Sequence, residues 1–545
     1  VVQKINYPSP QVLDTFYTDE SGTLTLPKAL PYGTNYSLVE VKAPTDYVLD
    51  TEPVFFDVTP ENTSRDGEQN IYIEIKKENK AQKGHIQILK TGQAFATVEE
   101  SEGLFRPIFQ EQGLKGALYE IYASEDVKTP DGTVRYAKDT LVDTIRTDET
   151  GQGQSQPLYL GKYLLVEKEA PQGYVLDKEA HPISLTYAGQ EISITSVGLS
   201  ASNQLQEISL SLKKALEEDF HFTEKVDIRD VCFGLYAGED IVAADGSKIP
   251  QDGKIESLMV KADGSLSYSG KLPFGKYYLL EEKTAEGYLL NNNAIEFEFH
   301  YQGQNVDTFV LRLLEGTALE NKLIRGKIEG LKIDNETHEA IAGVTFGLFK
   351  EAQEFPDIEK ASYWTKTDDE GRFSFQEIPY GTWFLQEIEA KPGYINHPEA
   401  KEIHIQENGV LLEFTWENEK TTTLVSKIEL GSNEALPGAK LAVLDKNGQI
   451  VDEWVSTKEP HVIRALTVGE TYTLRELEAP EGYEKAKDKN FAISKEGTTH
   501  IKLENVKPVI QTGDSITGGV LLGLCVIPVL PILLFIRKRI PKSDI

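Results

Sequence analysis

The 545-residue sequence predicts an all-β chain, a tandem array of antiparallel β-sandwich domains followed by one C-terminal transmembrane helix. Three observations lead there. One twelve-residue motif occurs five times, which marks a tandem array. Between copies, short alternating segments are separated by Gly, Pro and Asp turns, with no long helical pattern. Near the end, 21 uncharged residues run straight into a basic cluster.

The motif is clearest as Tyr472-Thr-Leu-Arg-Glu476-Leu-Glu-Ala-Pro-Glu-Gly-Tyr483, and earlier copies begin at Tyr36, Tyr163, Tyr277 and Trp383. Each has a glutamate four positions after the aromatic (Glu40, Glu167, Glu281, Glu387, Glu476) and a tyrosine eleven after it (Tyr47, Tyr174, Tyr288, Tyr394, Tyr483). The first half alternates, so in Tyr163-Leu-Leu165-Val-Glu167 the glutamate shares a strand face with Tyr163 and Leu165. If that face is the core, an acid sits among apolar side chains, where acids are rare unless paired or neutral.

Around the motif each copy carries further landmarks. The fourth shows them all: an opening strand ending in Lys332, a second strand from Ala342 to Phe349, the turn Thr367-Asp-Asp-Glu-Gly371, and a closing strand ending in Asn418. The corresponding ends are Lys90 and Asn203, Lys214 and Asn321, and Lys427 and Asn505. In the third copy Lys213 adjoins Lys214, and strand parity from Leu210 and Leu212 selects Lys214. The turns are assigned to Thr147–Gly151, Ala262-Asp-Gly264 and, in the fifth copy, Asp445-Lys-Asn-Gly448. The first copy has Glu40 and Asn79 but no opening strand, since Lys4 lies too close to its turn. It reads as truncated, and with no signal peptide in residues 1–30 the chain reads as a fragment or processed product.

These landmarks place a truncated domain at 1–81 and domains at 82–206 (with an insert at 91–115), 207–324, 325–419 and 420–508, then a tail at 509–545. From each Asn to the next Lys there are eleven residues, or nine before Lys427, so one closing strand runs almost directly into the next opening strand.

Composition narrows the function. A net charge of −31 and a pI near 4.8 argue against nucleic acid as a partner. Two cysteines, Cys232 and Cys525, allow no disulfide framework and no zinc spacing, and no cofactor or metal motif is present. The run 516–536 is long enough to cross a hydrocarbon core of roughly 30 Å, and Arg537-Lys-Arg539 marks its cytoplasmic end.

Each complete repeat thus offers a lysine, a glutamate and an asparagine in fixed order. If first and last strands lie side by side, Lys and Asn can meet with the Glu facing them. Burial lowers a lysine's pKa and raises a glutamate's, so the pair can be a neutral amine and a neutral acid. The amine would attack the Asn side-chain carbonyl while the acid polarises its oxygen and shuttles protons; ammonia leaves and an amide remains. This happens once per domain and is not enzymatic turnover.

Leu-x-Glu-x-x-Ala-Pro-x-Gly-Tyr, with an opening strand ending in Lys and a closing strand ending in Asn, resembles the CnaB/SpaA-type (prealbumin-like) domains of Gram-positive surface proteins and pilins. The resemblance implies autocatalytic Lys–Asn isopeptide bonds with Glu167, Glu281, Glu387 and Glu476 as promoting acids, and Glu40 as their counterpart in the truncated copy. Thr284-Ala285 replaces Ala-Pro in the third copy, and Asp46 stands where Gly precedes the tyrosine in the first. The tail resembles a sortase sorting signal, with Val509-Ile510-Gln511-Thr512-Gly513 in the place of Leu-Pro-x-Thr-Gly. That implies sortase as a partner, cleavage between Thr512 and Gly513, and linkage through Thr512 to peptidoglycan or a pilus subunit at the Gram-positive cell surface. The expected function is a wall-anchored stalk, adhesin or pilus-associated protein. Its rivals are an adhesin binding a host ligand, with a site in loops such as 91–115, and a sortase-polymerised pilin, although no Tyr-Pro-Lys pilin motif occurs.

Overall fold

The computed structural model describes residues 2–6, 9–67 and 71–508. Thr512, Gly513 and the run 516–536 lie outside the described residues. Among those described, no helix is long and apolar enough to cross a membrane, and helical structure is confined to short 3-10 turns at Ile228–Asp230 and Leu313–Gly316. By compactness the chain divides into two units: residues 1–329 with 374–384 and 402–413, and residues 330–373 with 385–401 and 414 onward.

In the first unit, the second repeat shows how the sequence builds its sandwich. Gly161–Glu169 alternates buried and partly buried side chains through its middle, placing Tyr163, Leu165 and Glu167 inward. It is central in an antiparallel four-stranded sheet with Leu118–Ala123, then Leu141–Arg146, on one side and Ala180–Leu185 on the other. The facing sheet is built on Lys83–Ser101. Gln152–Gln154 and Leu158–Tyr159 pair with it antiparallel, and the closing strand Ile194–Asn203 pairs with it parallel. Ile86 and Ile88 meet Tyr119, Ile121, Tyr163 and Leu165 between the sheets. The sandwich is antiparallel throughout except for this first-to-last pair. Four crossings between the sheets return the chain to the sheet in which it began, where its closing strand lies beside its opening strand and runs the same way.

The third repeat repeats the plan, with Glu207–Leu216 flanked by Ser265–Gly270 and, in parallel, by Thr308–Arg312 and Ala318–Asn321. The first repeat lacks part of it. Val2–Asn6 pairs with Gly33–Leu38, the position that Leu118–Ala123 holds in the second repeat, and no described strand takes the lysine strand's place.

In the second unit, Thr422–Glu429 pairs parallel with Thr498–Asn505, and Thr471–Glu478 is central in the opposite sheet. The expected alignment of the fifth turn needs correction. Asp445-Lys-Asn-Gly448 joins Lys440–Leu444 to Ile450–Val455 within one sheet. The place held by Thr147 and Thr367 is taken by Ser456, whose hydroxyl likewise binds Ala439 N and Leu436 O. No glycine follows Ser456 at that turn, so the glycine spacing pointed to the wrong loop.

The insert 91–115 also departs from expectation. It is a β-ribbon and not a loop: Lys83–Ser101 continues past its sandwich and pairs with Leu104–Gly113. Phe95, Val98 and Phe105 pack against the core of the third repeat. Ala244 N and Asp245 N donate to the carbonyls of Phe95 and Ala96, and Val98 N donates to Ser247 Oγ at 2.9 Å. Phe95, Val98 and Phe105 are thereby partly buried against the next domain.

Truncating Phe95 or Phe105 to Ala should therefore weaken the third repeat. The expected loss is about 1–3 kcal/mol for half-buried aromatics, read as faster amide exchange over Lys254–Met259 with that over Thr471–Glu478 unchanged. Unaltered exchange in the third repeat would show that the ribbon does not brace it.

Candidate functional site

In all four complete repeats, the lysine and glutamate side chains singled out above are 0% exposed and form an ion pair. Nζ lies 3.2 Å from Glu167 for Lys90, 3.1 Å from Glu281 for Lys214, 3.1 Å from Glu387 for Lys332 and 3.3 Å from Glu476 for Lys427. Asn203, Asn321, Asn418 and Asn505 are buried beside them.

Strand register produces the meeting. Asn203 stands opposite Gly92, Asn321 opposite Leu216 and Asn505 opposite Glu429, in each case two residues beyond the lysine on the parallel neighbour. Two residues along a strand restores the same face, so Lys and Asn both point into the sandwich. The glutamate comes from the opposite sheet, on the inward face selected by its alternation with Tyr163 and Leu165 or their counterparts.

Each asparagine donates through Nδ2 to the glutamate: Asn203 to Glu167 at 2.8 Å, Asn418 to Glu387 at 2.7 Å, Asn505 to Glu476 at 3.0 Å, and Asn321 to Glu281. The carboxyl thus sits on the amide nitrogen, not on the carbonyl oxygen where it was expected to polarise. The carbonyl oxygen is instead turned to the amine in two repeats, where Lys214 donates to Asn321 Oδ1 and Lys332 to Asn418 Oδ1. A second carboxylate bond fixes the acid: Asp177 N donates to Glu167 Oε2 at 2.8 Å and Ala486 N to Glu476 Oε2 at 2.5 Å. In the first repeat Asn79 and Asp50 N bind Glu40 in the same way, but among the described residues Glu40 makes no ion pair.

Desolvation dominates the electrostatics. Burial pulls the Lys332 amine down to about 8, against the attraction of Glu387, and lowers Lys90, Lys214 and Lys427 in the same direction. Burial likewise pushes the Glu387 carboxyl up. Glu167 Oε1, Glu281 Oε2, Glu387 Oε2 and Lys427 Nζ have the ion pair as their one polar contact, and Asn203 Oδ1 and Asn505 Oδ1 are buried without a hydrogen-bond partner. A buried acceptor left unpaired costs about 1–3 kcal/mol, so the site concentrates polar groups that the fold leaves poorly satisfied.

Three supports were not read from the sequence. The turn after Thr147, and its counterparts, does not close a hairpin within one sheet but carries the chain between sheets, and its glycine grips the lysine. Gly151, Gly264 and Gly371 have φ of 78°, 75° and 74°, and their carbonyls accept from Lys90 N, Lys214 N and Lys332 N at 2.7, 2.8 and 2.7 Å. The motif's closing tyrosine latches the chain just past the lysine: Tyr174 Oη donates to Gln93 O, Tyr288 to Glu217 O and Tyr394 to Asp334 Oδ2. Its invariant spacing within this chain was the available signal. In the third repeat Thr284, the departure from Ala-Pro, accepts from Asn321 Nδ2 at 2.6 Å.

The family described as SpaA, a prealbumin-like fold domain, matches residues 3–79, 109–198, 218–310, 326–420 and 421–507. The last two spans contain both Lys and Asn, whereas the second and third begin after the lysine strand and stop before the asparagine. No curated protein matches the chain. Among solved structures, the Bacillus anthracis TIE protein is 18% identical, with 77% of this chain and 75% of that one covered and a TM-score of 0.37. BcpA, the major pilin subunit of Bacillus cereus, is 18% identical over 62% of this chain and 100% of its own, with a TM-score of 0.29. A streptococcal ancillary pilin is 16% identical over 62% and 99%, with a TM-score of 0.21.

The glycine grip can be tested inside one repeat. A Cβ on Gly371 would lie 2.5 Å from Lys332 O, whereas one on Gly343, also at positive φ, meets nothing within 4 Å. Gly343→Ala should cost roughly 1 kcal/mol of strain and Gly371→Ala roughly 2–4 kcal/mol. The readout is amide exchange over Arg325–Asp334, which should accelerate more in Gly371→Ala; equal effects would remove the turn from the site.

Proposed function

The chain belongs to the SpaA family of prealbumin-like fold domains, and from that premise we propose that it is a cell-surface stalk whose four complete repeats each weld Lys to Asn through an intramolecular amide. The observation that carries this reading is the fourfold recurrence of a fully buried Lys–Glu pair with an Asn amide on the same carboxyl.

The chemistry follows from where the groups stand. Desolvation favours transfer of a proton from the lysine ammonium to the glutamate, giving a neutral amine and a neutral acid. The amine attacks Asn Cγ, and the Nζ–Cγ bond forms as the carbonyl takes up the electron pair. The acid, on Nδ2, gives its proton to the departing nitrogen and recovers one from Nζ. The Cγ–Nδ2 bond breaks, ammonia leaves, and a neutral secondary amide stands where a buried ion pair had been. Fixed geometry supplies the effective concentration. No metal or cofactor is required, and the event occurs once per repeat.

The wider role rests on the sequence. Thr512-Gly513, the run 516–536 and the basic end support membrane retention, sortase cleavage and transfer of Thr512 to peptidoglycan or a pilus subunit. Of the two rival roles, an adhesin would have to bind with surfaces other than Phe95, Val98 and Phe105 of the ribbon, which pack on the third repeat. A polymerised pilin still lacks its acceptor-lysine motif.

Intact-mass measurement of the parent should find one ammonia missing per complete repeat. Glu387→Ala with Glu476→Ala should restore two of them, and an unchanged deficit would sink the proposal. The pH dependence has a definite sign. The reactive pair carries one shared proton. Adding a second, at low pH, ties up the amine, and removing the shared one, near the Lys332 value of about 8, leaves no acid. The rate at which freshly translated chain forms the Lys332–Asn418 link should therefore be bell-shaped, falling on the alkaline side above about pH 8. A rate that keeps rising with pH would remove the glutamate from its role as acid.

A further inference from the structure

The four complete sites are not equivalent at one position, the residue directly across the sheet from the glutamate. Register pairs Tyr119 with Glu167, Phe233 with Glu281 and Leu441 with Glu476, and the same place in the fourth repeat is Phe346. Tyr119 is fully buried, and its hydroxyl is 2.9 Å from Lys90 Nζ. In the third and fourth repeats, where an aromatic without a hydroxyl stands here, the lysine donates to the asparagine carbonyl. In the second repeat that bond is missing, and Asn203 Oδ1 is buried without a partner. In the fifth, with Leu441, Lys427 Nζ has its ion pair with Glu476 and no bond to Asn505, so of the four lysines only Lys90 is held by a competing group.

Resting on the welding reading above, we propose that Tyr119 is a positioning residue that restrains Lys90 from Asn203, so that the second repeat welds more slowly than the third and fourth. The phenol and the amine form one bond in either protonation state. An ammonium donates to the phenol oxygen, and a neutral amine accepts the phenol proton through the lone pair that must attack Cγ. Either way the bond to Tyr119 must break before Nζ reaches Asn203. The other groups acting on Lys90 are Glu167 and, at longer range, Asp177, both of which favour its charged form. The reaction itself is unchanged: Nζ–Cγ forms, Cγ–Nδ2 breaks and ammonia departs. Only the approach of the amine is delayed.

The test uses the full chain, synthesised in a pulse and digested at intervals, with the linked Lys90–Asn203, Lys214–Asn321 and Lys332–Asn418 peptides quantified by mass spectrometry. The third and fourth repeats are clocks within the same molecule. Tyr119→Phe, which installs the residue found at that place in those repeats, should speed the second repeat about fivefold relative to its clocks, the factor carried by one net hydrogen bond. Phe233→Tyr should slow the third repeat by a similar factor while leaving the fourth alone. An unchanged ratio in both variants overturns the proposal. So does loss of the Lys90–Asn203 link in Tyr119→Phe, which would make the hydroxyl a required proton carrier. If no repeat of the parent yields a linked peptide, the welding reading fails, an outcome distinct from clocks that run while Tyr119→Phe has no effect.

Discussion

The desolvation of one lysine beside one glutamate governs the rest of this structure. A lone buried charge would cost several kcal/mol, and even a well-paired one is weak evidence for stability. Here the pairs have 0% exposure in each complete repeat, and part of their hydrogen-bonding capacity is unmet. A hydrophobic pair of similar size would serve a passive core better. The arrangement makes physical sense as a reactant state, because conversion to a neutral amide removes both the buried ammonium and the need for a carboxylate counter-ion.

Around that pair the supporting elements act on backbone position. Turn glycines hold the lysine's own N–H in three repeats, and closing tyrosines hold the chain a few residues on. A lysine side chain is long and rotamer-rich, and fixing its backbone at both sides of Cα limits where Nζ can travel. The fifth repeat lacks the glycine grip. There Lys427 Nζ keeps the ion pair with Glu476 at 3.3 Å but makes no bond to Asn505. Proximity comes from strand register, in the fifth repeat as in the second and third.

Much of this was legible in the residues. Tandem spacing gave the repeats, period-two alternation put Glu167 on the inward face with Tyr163 and Leu165, and parity chose Lys214 over Lys213, which the structure places exposed on the outer face. What stayed hidden depends on contacts between segments far apart in the chain. That Thr147–Gly151 passes between sheets, that Ser456 and not Asp445 stands at its place in the fifth repeat, and that Phe95 and Phe105 face a neighbouring domain are facts of pairing, which local pattern does not encode. The glutamate's place on Nδ2 is likewise set by which way an amide turns, and no sequence spacing specifies that.

The parallel pairing of first and last strands determines what a weld would do under load. Tension enters a repeat at the start of its opening strand and leaves at the end of its closing strand. Both strands run the same way, so without a covalent tie the pull shears one past the other and then unravels the strands between. In the last three repeats the lysine lies toward the far end of the first strand, and the asparagine is the last residue of the closing strand, as at Asn203 and Asn505. An amide between them carries force along the opening strand, across the link and straight into the linker. The intervening strands, with their core of Tyr163, Leu165 and their counterparts, then lie outside the covalent load path. In the first repeat, where Glu40 and Asn79 bind each other without a described lysine, no such bypass is built from the described residues.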